Sequence, residues 1–317
     1  MTLGSEAEAV AIEKERKLSE WLEAQDSVML GFSGGVDSAY LGCVAVDVMG
    51  ADRVLAVIGR SASYPAEQWA MAKRVAGQFG LSVLEIDTDE MNDPRYAANP
   101  SNRCYFCKTE LWGKLRPAAA ERGISMIVDG TNADDLSDYR PGMHAGREHE
   151  VRSPLAELGF TKSEIRLLSR RRGIPTWSQP SSPCLSSRLP QGLAVTPARL
   201  RQVEAAERAL RELGITGDLR VRHHGNVGRV ELAQHELKRW LEPERMRTLQ
   251  QTVQAAGFAD AEIDPRGYGH PSGNGRVGKP QFGSHASEGS SESPTLESEP
   301  VTPAHRSPSA VASVSRD

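Results

Sequence analysis

The sequence is poor in cysteine and aromatic residues and carries no net positive charge. Only four of its 317 residues are cysteine, too few for the disulfide framework of a small secreted domain. The net charge of −4 at pH 7 gives no overall basic field that would attract nucleic acid. Any bound anion must therefore depend on a local cluster of donors, and nucleic acid is not an expected partner.

Long apolar runs are also missing. No stretch approaches the length of a membrane-spanning helix, and residues 1–25 form a charged helical pattern without the apolar region of a signal peptide. The composition, 38% hydrophobic and 25% charged, is typical of a soluble globular protein, and the length exceeds that of a usual single domain. We therefore expect a cytoplasmic protein with more than one domain and no membrane insertion.

Strand-like and helix-like segments alternate up to about residue 178. Alternation of this kind predicts right-handed βαβ units and an α/β fold with a doubly wound parallel sheet. In such a sheet, ligands bind beyond the C-terminal ends of the strands, where the strand order reverses. The predicted strands are residues 27–33, 53–61, 81–88 and 125–132, and the helical patterns between them are residues 35–50, 65–80 and 103–123.

Beyond about residue 190 the pattern changes to a helix, a hairpin and another helix, which predicts a smaller α+β domain. The C-terminal end is rich in Gly, Ser, Pro and Glu and has almost no large apolar residues, so it is expected to be disordered. The predicted organisation is an N-terminal helix (1–24), an α/β domain (25–178), a cysteine loop and linker (179–192), a small α+β domain (193–266) and a disordered tail (267–317).

The segment GFSGGVDSAY, residues 31–40, joins the first predicted strand to the first helix through two adjacent glycines. Backbone N–H groups can close on an anion there, and the helix N-terminus adds partial positive charge, so the segment predicts a phosphate cradle. It lacks the lysine and the length of a Walker A loop. It resembles the SGGxDS pyrophosphate loop of the PP-loop, or adenine nucleotide α-hydrolase-like, superfamily. Members of that superfamily have a HUP-like fold and cleave ATP to AMP and pyrophosphate.

This resemblance assigns roles to the loop. It implies that the loop binds ATP and that Asp37 is a catalytic residue that also holds Mg²⁺. The alternative is an ordinary glycine-rich turn before a helix. The ATP-binding residues implied are Ser33, Gly34, Gly35, Val36, Asp37 and Ser38.

Three of the four cysteines are candidates for metal or redox chemistry. Cys104 and Cys107 form a C-x-x-C pair near a helix start, which lets two sulfurs reach one metal or each other. Cys184 lies far away in a polar, proline-broken loop with no apolar period to bury it. If that loop folds over the same end of the sheet, three thiolates can meet as ligands of a [4Fe–4S] cluster with one open iron. Zinc and a disulfide remain alternatives, and Cys43 is expected in the core.

Arginines dominate the polar face of the predicted hairpin. In DLRVRHHGNVGRVELA the alternation places Arg220, Arg222 and Arg229 on one face, a forked site suited to phosphate and carboxylates. Arg188 follows Cys184 closely and is a further candidate for neutralising a bound substrate. The alternative is a solvated face on a half-buried hairpin.

Six segments in order resemble the LarE family of ATP-dependent sulfur transferases, over roughly residues 15–265. This family makes the sulfur ligands of the nickel-pincer nucleotide cofactor. The resemblance implies adenylylation of a carboxylate of pyridinium-3,5-biscarboxylic acid mononucleotide, followed by displacement of AMP by a protein-bound sulfur to leave a thiocarboxylate. The segments are GFSGGVDS, NRCYFCKTELW, DGTNADDLSDYRPG, SPLAELGFTKSEIR, SPCLSSRLPQG and LRVRHHGNVGRVEL.

The resemblance also implies where the ligands bind and what the partners are. Residues 25–178 would be the ATP-binding domain, and residues 193–266 would bind the substrate. The expected partners are a small pyridinium nucleotide and sulfide or another sulfur donor, and we also expect a homo-oligomer. The substrate-binding residues implied are Arg188, Arg220, Arg222 and Arg229.

Two sulfur sources are known in that family, and both use the position of Cys184. In one form, the cysteine of PCL(A/S)SR gives up its own sulfur and becomes dehydroalanine. In the other, this cysteine and a C-x-x-C pair bind a [4Fe–4S] cluster that carries the transferable sulfide. Because the pair is present here, the resemblance favours Cys104, Cys107 and Cys184 as cluster ligands, with Cys184 as a catalytic residue.

Other functions remain open at this point. A PP-loop tRNA thiolase also combines such a loop with cysteines, but it requires a basic RNA surface. An amidotransferase-like synthetase, in which ammonia attacks the adenylate, would leave the three cysteines unexplained. A nucleotide-binding sensor would use the loop only as a switch, and pyrophosphate release that depends on one small acid would count against it.

Overall fold

A four-stranded parallel sheet forms the centre of the larger part of the fold. The computed structural model describes residues 3–137, 140–180 and 182–269. The strands are β1 (Val28–Gly31), β2 (Val54–Arg60), β3 (Ser82–Asp87) and β4 (Met126–Asp129). They pair in the order β3–β2–β1–β4, all parallel. This confirms the predicted α/β sheet and places the reversal of strand order between β1 and β4.

Helices cover both faces of this sheet, because the strands direct alternate side chains into two apolar layers. The helices are α1 (Leu3–Glu23), α2 (Val36–Met49), α3 (Ala66–Gln78), α4 (Pro94–Ala97), α5 (Arg103–Ala120), α6 (Pro141–Glu148), α7 (Pro154–Glu157) and α8 (Lys162–Arg171). Val28 and Leu30 of β1 face the layer formed with α1, α2, α3, α7 and α8, whereas Met29 faces α5 and α6. Cys43 lies in the first layer, as predicted.

A second, three-stranded sheet follows in the chain. Its elements are α9 (Pro197–Glu212), β5 (Leu219–His224), β6 (Val227–Leu232), α10 (Gln234–Trp240), α11 (Pro243–Ala255) and β7 (Asp260–Ile263). The predicted hairpin is formed by β5 and β6, and β7 adds a parallel strand beside β6 that the sequence pattern does not predict. Leu200, Val203 and Leu210 of α9 pack with Val221 and Val230 in its core. Both sheets belong to one compact unit of the chain.

The predicted tail, residues 267–317, lies outside the described residues from residue 270 onward. Its first residues are ordered parts of the fold. The backbone N–H of Tyr268 donates to the carbonyl of Leu232 at 2.7 Å, which attaches this segment to the second sheet. Within the described ranges, no helix is both long and apolar enough to cross a membrane.

The packing at the C-terminal end of β1 requires a glycine, Gly31. A Cβ added at Gly31 would lie 2.6 Å from Cη2 of Trp112, and this tryptophan of α5 is only 1% exposed. The indole therefore packs directly on the backbone at the point where the chain leaves the sheet. Any side chain at this position would displace either α5 or the start of the following loop.

We expect Gly31→Ala to lower the free energy of unfolding by about 1–3 kcal/mol, the usual range for overpacking a well-packed core. Urea denaturation followed by circular dichroism measures this. Gly77→Ala is the matched control, because nothing lies within 4 Å of a Cβ added there in α3. Equal stability of the two variants would contradict the close packing inferred at Gly31.

Candidate active site

The loop between β1 and α2 has the geometry of an anion cradle. Gly34 has φ of +65°, and a Cβ added to it would lie 2.5 Å from Cβ of Ala72. Gly35 caps α2, and the hydroxyl of Ser38 donates to its carbonyl at 3.2 Å. The N–H groups of the first turn of α2 have no acceptor within the helix, so they and the positive end of the helix dipole can serve a bound phosphate.

Two side chains outside the loop hold it in place. The hydroxyl of Tyr64 and Nε2 of Gln68 each donate to the carbonyl of Ser33 at 2.9 Å. Oε1 of the buried Gln68 in turn accepts from Nε2 of Gln179 at 3.0 Å, so the chain leading to the cysteine loop is tied to the cradle. Sequence reasoning missed these residues, because nothing in the local pattern marks them.

Asp37 forms an ion pair with Lys162 at the cradle. Nζ of Lys162 donates to Oδ2 of Asp37, while Oδ1 is buried and has no hydrogen-bond partner among the described residues. Burial raises the pKa of Asp37 in spite of Lys162, which acts to lower it. Lys162 begins α8, whose first turn is fixed by a capping box in which Thr161 and Glu164 bond to each other's backbone N–H. The orphaned, buried carboxylate oxygen fits a hard cation such as Mg²⁺.

The cysteine loop folds back over the C-terminal end of the parallel sheet, as the predicted meeting of the thiols requires. The N–H of Leu185 donates to the carbonyl of Ser63, which follows β2, at 2.8 Å. The hydroxyls of Tyr96 and Ser186 hydrogen-bond at 2.7 Å, and Nδ2 of Asn99 donates to the carbonyl of Pro190 at 2.7 Å. Cys184 precedes the short 3₁₀ helix Leu185–Arg188 and is partly exposed.

Arg103 lies beside Cys184 and also interacts with Cys104. Its Nη1 donates to the carbonyl of Ser186 at 2.8 Å, and its Nη2 lies 3.9 Å from Sγ of Cys184. Burial would lower the pKa of Arg103, but its interactions with Cys184, Cys104 and a nearby tyrosine raise it. No carboxylate lies within ion-pair distance of this buried guanidinium in the part of the chain that the structure describes. Sequence reasoning missed Arg103, because its position before the C-x-x-C pair does not show that it is buried.

Cys107 and Cys184 are partly buried, whereas Cys104 is exposed. Burial, together with Glu90, Cys184 and Cys104, raises the pKa of Cys107. The three cysteines thus share one neighbourhood. Their side chains do not converge on one point. Among the described residues, no three His, Cys, Asp or Glu side chains are placed to hold a metal ion together.

The hairpin places Arg220, Arg222 and Arg229 on one face, since the register pairs Arg222 with Arg229 and Arg220 with Glu231. Arg222 is committed to Glu231, with Nε 2.9 Å from Oε1. Nε of Arg229 lies 3.1 Å from Oε1 of Glu262, at ion-pair distance but without hydrogen-bond geometry.

Arg188 and Arg220 both line a cavity of about 350 Å³. Arg188 is buried and forms two bonds to Glu207, at 3.0 and 3.1 Å. Arg220 has no carboxylate at ion-pair distance within the described residues, and its guanidinium carbon lies 4.5 Å from the ring centre of Tyr268. The cavity is also lined by Gln68, which donates to the cradle residue Ser33, and by Leu185 of the cysteine loop. It therefore lies beside the cradle and the cysteine loop, although its described lining includes no cradle residue and no cysteine.

The parallel sheet and the glycine cradle at its switch point define a nucleotide-binding protein of the PP-loop class. The family model described as NAD synthase matches residues 15–116, which include the cradle. The glutamine-hydrolyzing GMP synthase of Enterococcus faecalis is 24% identical over 208 residues, which are 58% of this chain and 39% of that protein.

Two other relatives match this chain over nearly their whole length. An uncharacterized protein of Synechocystis sp. is 41% identical over 255 residues, which are 80% of this chain and 94% of that protein. The pyridinium-3,5-bisthiocarboxylic acid mononucleotide synthase of Lactiplantibacillus plantarum is 32% identical over 273 residues, which are 86% of this chain and 98% of that protein. The chain belongs to the LarE family, as its sequence segments predict.

We expect Gly34→Ala to weaken ATP binding by about tenfold or more, because the left-handed backbone is strained with a Cβ and the contact with Ala72 opens the cradle. Isothermal titration with ATP measures the affinity. Gly35→Ala is the matched control, because its added Cβ would meet only Oγ of Ser33, at 3.4 Å, and should cost less. The cradle assignment would fail if both variants bound ATP like the wild type.

Proposed function

We propose that this protein is an ATP-dependent sulfur transferase that adenylylates a carboxylate of pyridinium-3,5-biscarboxylic acid mononucleotide and converts it to a thiocarboxylate. The observation that carries the proposal is the cavity lined by Gln68, which bonds to the cradle, by Leu185 of the cysteine loop and by Arg220 of the hairpin. The activity named for the Lactiplantibacillus plantarum relative supports this choice of substrate. The product would serve nickel-pincer cofactor synthesis.

In the first step, a substrate carboxylate oxygen attacks the α-phosphorus of ATP. The bond to pyrophosphate breaks, and AMP becomes attached to the acid. The N–H groups at the start of α2 would hold the departing pyrophosphate, whose growing negative charge they offset.

Asp37 would hold Mg²⁺ through Oδ1, the buried oxygen without a hydrogen-bond partner among the described residues. When bound, this ion neutralises phosphate charge. Lys162 already occupies Oδ2, so it would keep Asp37 oriented and add positive charge beside the phosphates. Both groups lie beside the loop that would bind pyrophosphate.

The substrate would lie in the cavity, with one anionic group bound to Arg220. Among the four arginines predicted to bind substrate, Arg188, Arg222 and Arg229 each lie at ion-pair distance from a carboxylate of the protein. Arg220 has no such partner among the described residues, which leaves its planar donors available for a carboxylate or phosphate. We therefore assign Arg220 as the principal substrate ligand and the others as its support.

For the sulfur, we favour a [4Fe–4S] cluster held by Cys104, Cys107 and Cys184. The residue types fit, because cysteines are the usual ligands of such a cluster, and Arg103, which interacts with Cys184 and Cys104, can offset part of the negative charge of bound thiolates. The thiols would need to approach one another from their described positions. When bound, such a cluster offers an open iron that carries a transferable sulfide.

The alternative source is Cys184 itself. Its sulfur would attack the acyl carbon, and the bond from that carbon to AMP would break, forming a thioester. Loss of the Cα proton and cleavage of the Cβ–Sγ bond would then leave a thiocarboxylate and dehydroalanine. Either source places the reacting sulfur in the loop that borders the cavity through Leu185.

Two variants should separate the half-reactions. Asp37→Asn removes the charge proposed to hold Mg²⁺, so AMP formation dependent on the pyridinium acid should fall by about a hundredfold. Cys184→Ser should still form AMP and pyrophosphate but no thiocarboxylate, because the sulfur is lost while the loop is kept. Nucleotide chromatography and mass spectrometry of the acid measure both. Thiocarboxylate formation by Cys184→Ser at the wild-type rate would rule out the assigned role.

Iron and acid-labile sulfide, measured on protein purified or reconstituted without oxygen, should show about four of each per chain. Cys104→Ala should lose them, because it removes one ligand. Cys43→Ala should retain them, because Cys43 lies in the core layer of α2. Absence of iron, with dehydroalanine at position 184 after turnover, would instead make Cys184 a single-use donor.

A further inference from the structure

Tyr268 lines the cavity next to Arg220. Both side chains line the cavity, and the guanidinium carbon of Arg220 lies 4.5 Å from the ring centre of Tyr268. This is the geometry of a cation–π contact, in which the ring face attracts the cation and keeps the guanidinium plane against it. Tyr268 falls in the segment that composition assigns to the tail, so the sequence pattern gives it no role.

A tight turn after β7 fixes the position of Tyr268. Asp264, 1% exposed, accepts from the N–H of Arg266 at 3.0 Å and forms an ion pair with its guanidinium at 2.8 Å. Gly267 follows with φ of +76°, and a Cβ there would lie 2.9 Å from the carbonyl oxygen of Leu232. That same carbonyl accepts from the N–H of Tyr268. The ring is therefore presented by a constrained turn bonded to β6.

The charges around Arg220 make its environment suited to an anion. Burial lowers the pKa of Arg220, and the nearby positive charges of Arg188 and Arg222 act in the same direction. Arg208 and Arg211 also line the cavity, together with the carboxylates of Glu67, Glu204, Glu207 and Asp218. None of these carboxylates lies at ion-pair distance from Arg220 among the described residues, so a bound anion would offset the charge of Arg220.

The proposed reaction limits which anion can bind there. The carboxylate that receives AMP must lie near the pyrophosphate cradle and Cys184. The phosphate of the mononucleotide takes no part in that step and is the dianion available to Arg220.

We propose that Tyr268 is a positioning residue that holds the guanidinium of Arg220 to bind the phosphate of the substrate mononucleotide. The proposal rests on the proposed function for the orientation of the substrate. Tyr268 acts through its ring face, and its hydroxyl is not required. This arrangement makes the pocket discriminate a nucleotide from the corresponding nucleoside.

The test compares two probes that differ only in the phosphate, nicotinic acid mononucleotide and nicotinic acid riboside, by isothermal titration. Tyr268→Leu should weaken binding of the mononucleotide by about threefold to thirtyfold, the range of a partly desolvated cation–π contact, and leave the riboside unchanged. Tyr268→Phe should keep the wild-type affinity for both probes. Arg220→Lys, which loses the planar fork, should reproduce the selective loss even if Tyr268→Leu does not fold.

Three results would overturn the proposal. They are equal wild-type affinity for the two probes, equal losses for both probes in Tyr268→Leu, and a loss in Tyr268→Phe as large as in Tyr268→Leu. Failure of the proposed function looks different. In that case the wild type would release no pyrophosphate in response to the pyridinium dicarboxylate, while the phosphate-dependent binding and its loss in Tyr268→Leu would remain.

Discussion

The buried ion pair between Arg188 and Glu207 is the interaction on which the candidate site depends. The guanidinium, 4% exposed, bonds to both carboxylate oxygens of Glu207 on α9 and also donates to the carbonyls of Pro183 and Cys184. Oε1 of Glu207 accepts in addition from the N–H of Val221 in β5 at 3.0 Å. One ion pair thus joins the cysteine loop, a helix and a strand of the second sheet. Its desolvation cost is offset because nearly every donor and acceptor is used.

The cysteine loop is held from the other side by the part of the chain around α4 and α5. Tyr96, Asn99 and Arg103 all bond to it, and Ser63 accepts from its backbone. A segment without regular secondary structure can keep one conformation only if other groups satisfy its backbone, and here both sheets contribute them. The loop therefore fixes where the two halves of the fold meet, and the cavity lies at that junction.

Local patterns were enough to predict the parallel sheet, the helices between its strands and the position of the glycine loop, because these depend on periodicity and on backbone freedom at Gly34. The partners of the site residues could not be predicted. Lys162 forms an ion pair with Asp37, although the two residues are 125 positions apart in the chain. Arg229 of the hairpin has Glu262 and Asp264, which follow the hairpin in sequence, at ion-pair distance. Composition also assigned Gly267 and Tyr268 to the predicted tail, whereas the N–H of Tyr268 bonds to the carbonyl of Leu232 in β6.

The arginines of the site differ in whether a carboxylate of the protein lies at ion-pair distance. Those with such a partner stabilise the site, and those without one can bind a ligand. A buried cation without a counter-ion is costly, so a fold retains one where an anion will face it. Within the described residues, Arg188, Arg222 and Arg229 have carboxylates at ion-pair distance, whereas Arg103 and Arg220 have none. Arg103 faces thiols, and Arg220 faces an open cavity. Arg103 is therefore suited to a sulfur that carries negative charge, and Arg220 is suited to an anionic substrate. Arg103 bonds to the cysteine loop at the carbonyl of Ser186, and Leu185 of the same loop lines the cavity with Arg220, so this loop contacts both cations or their surroundings.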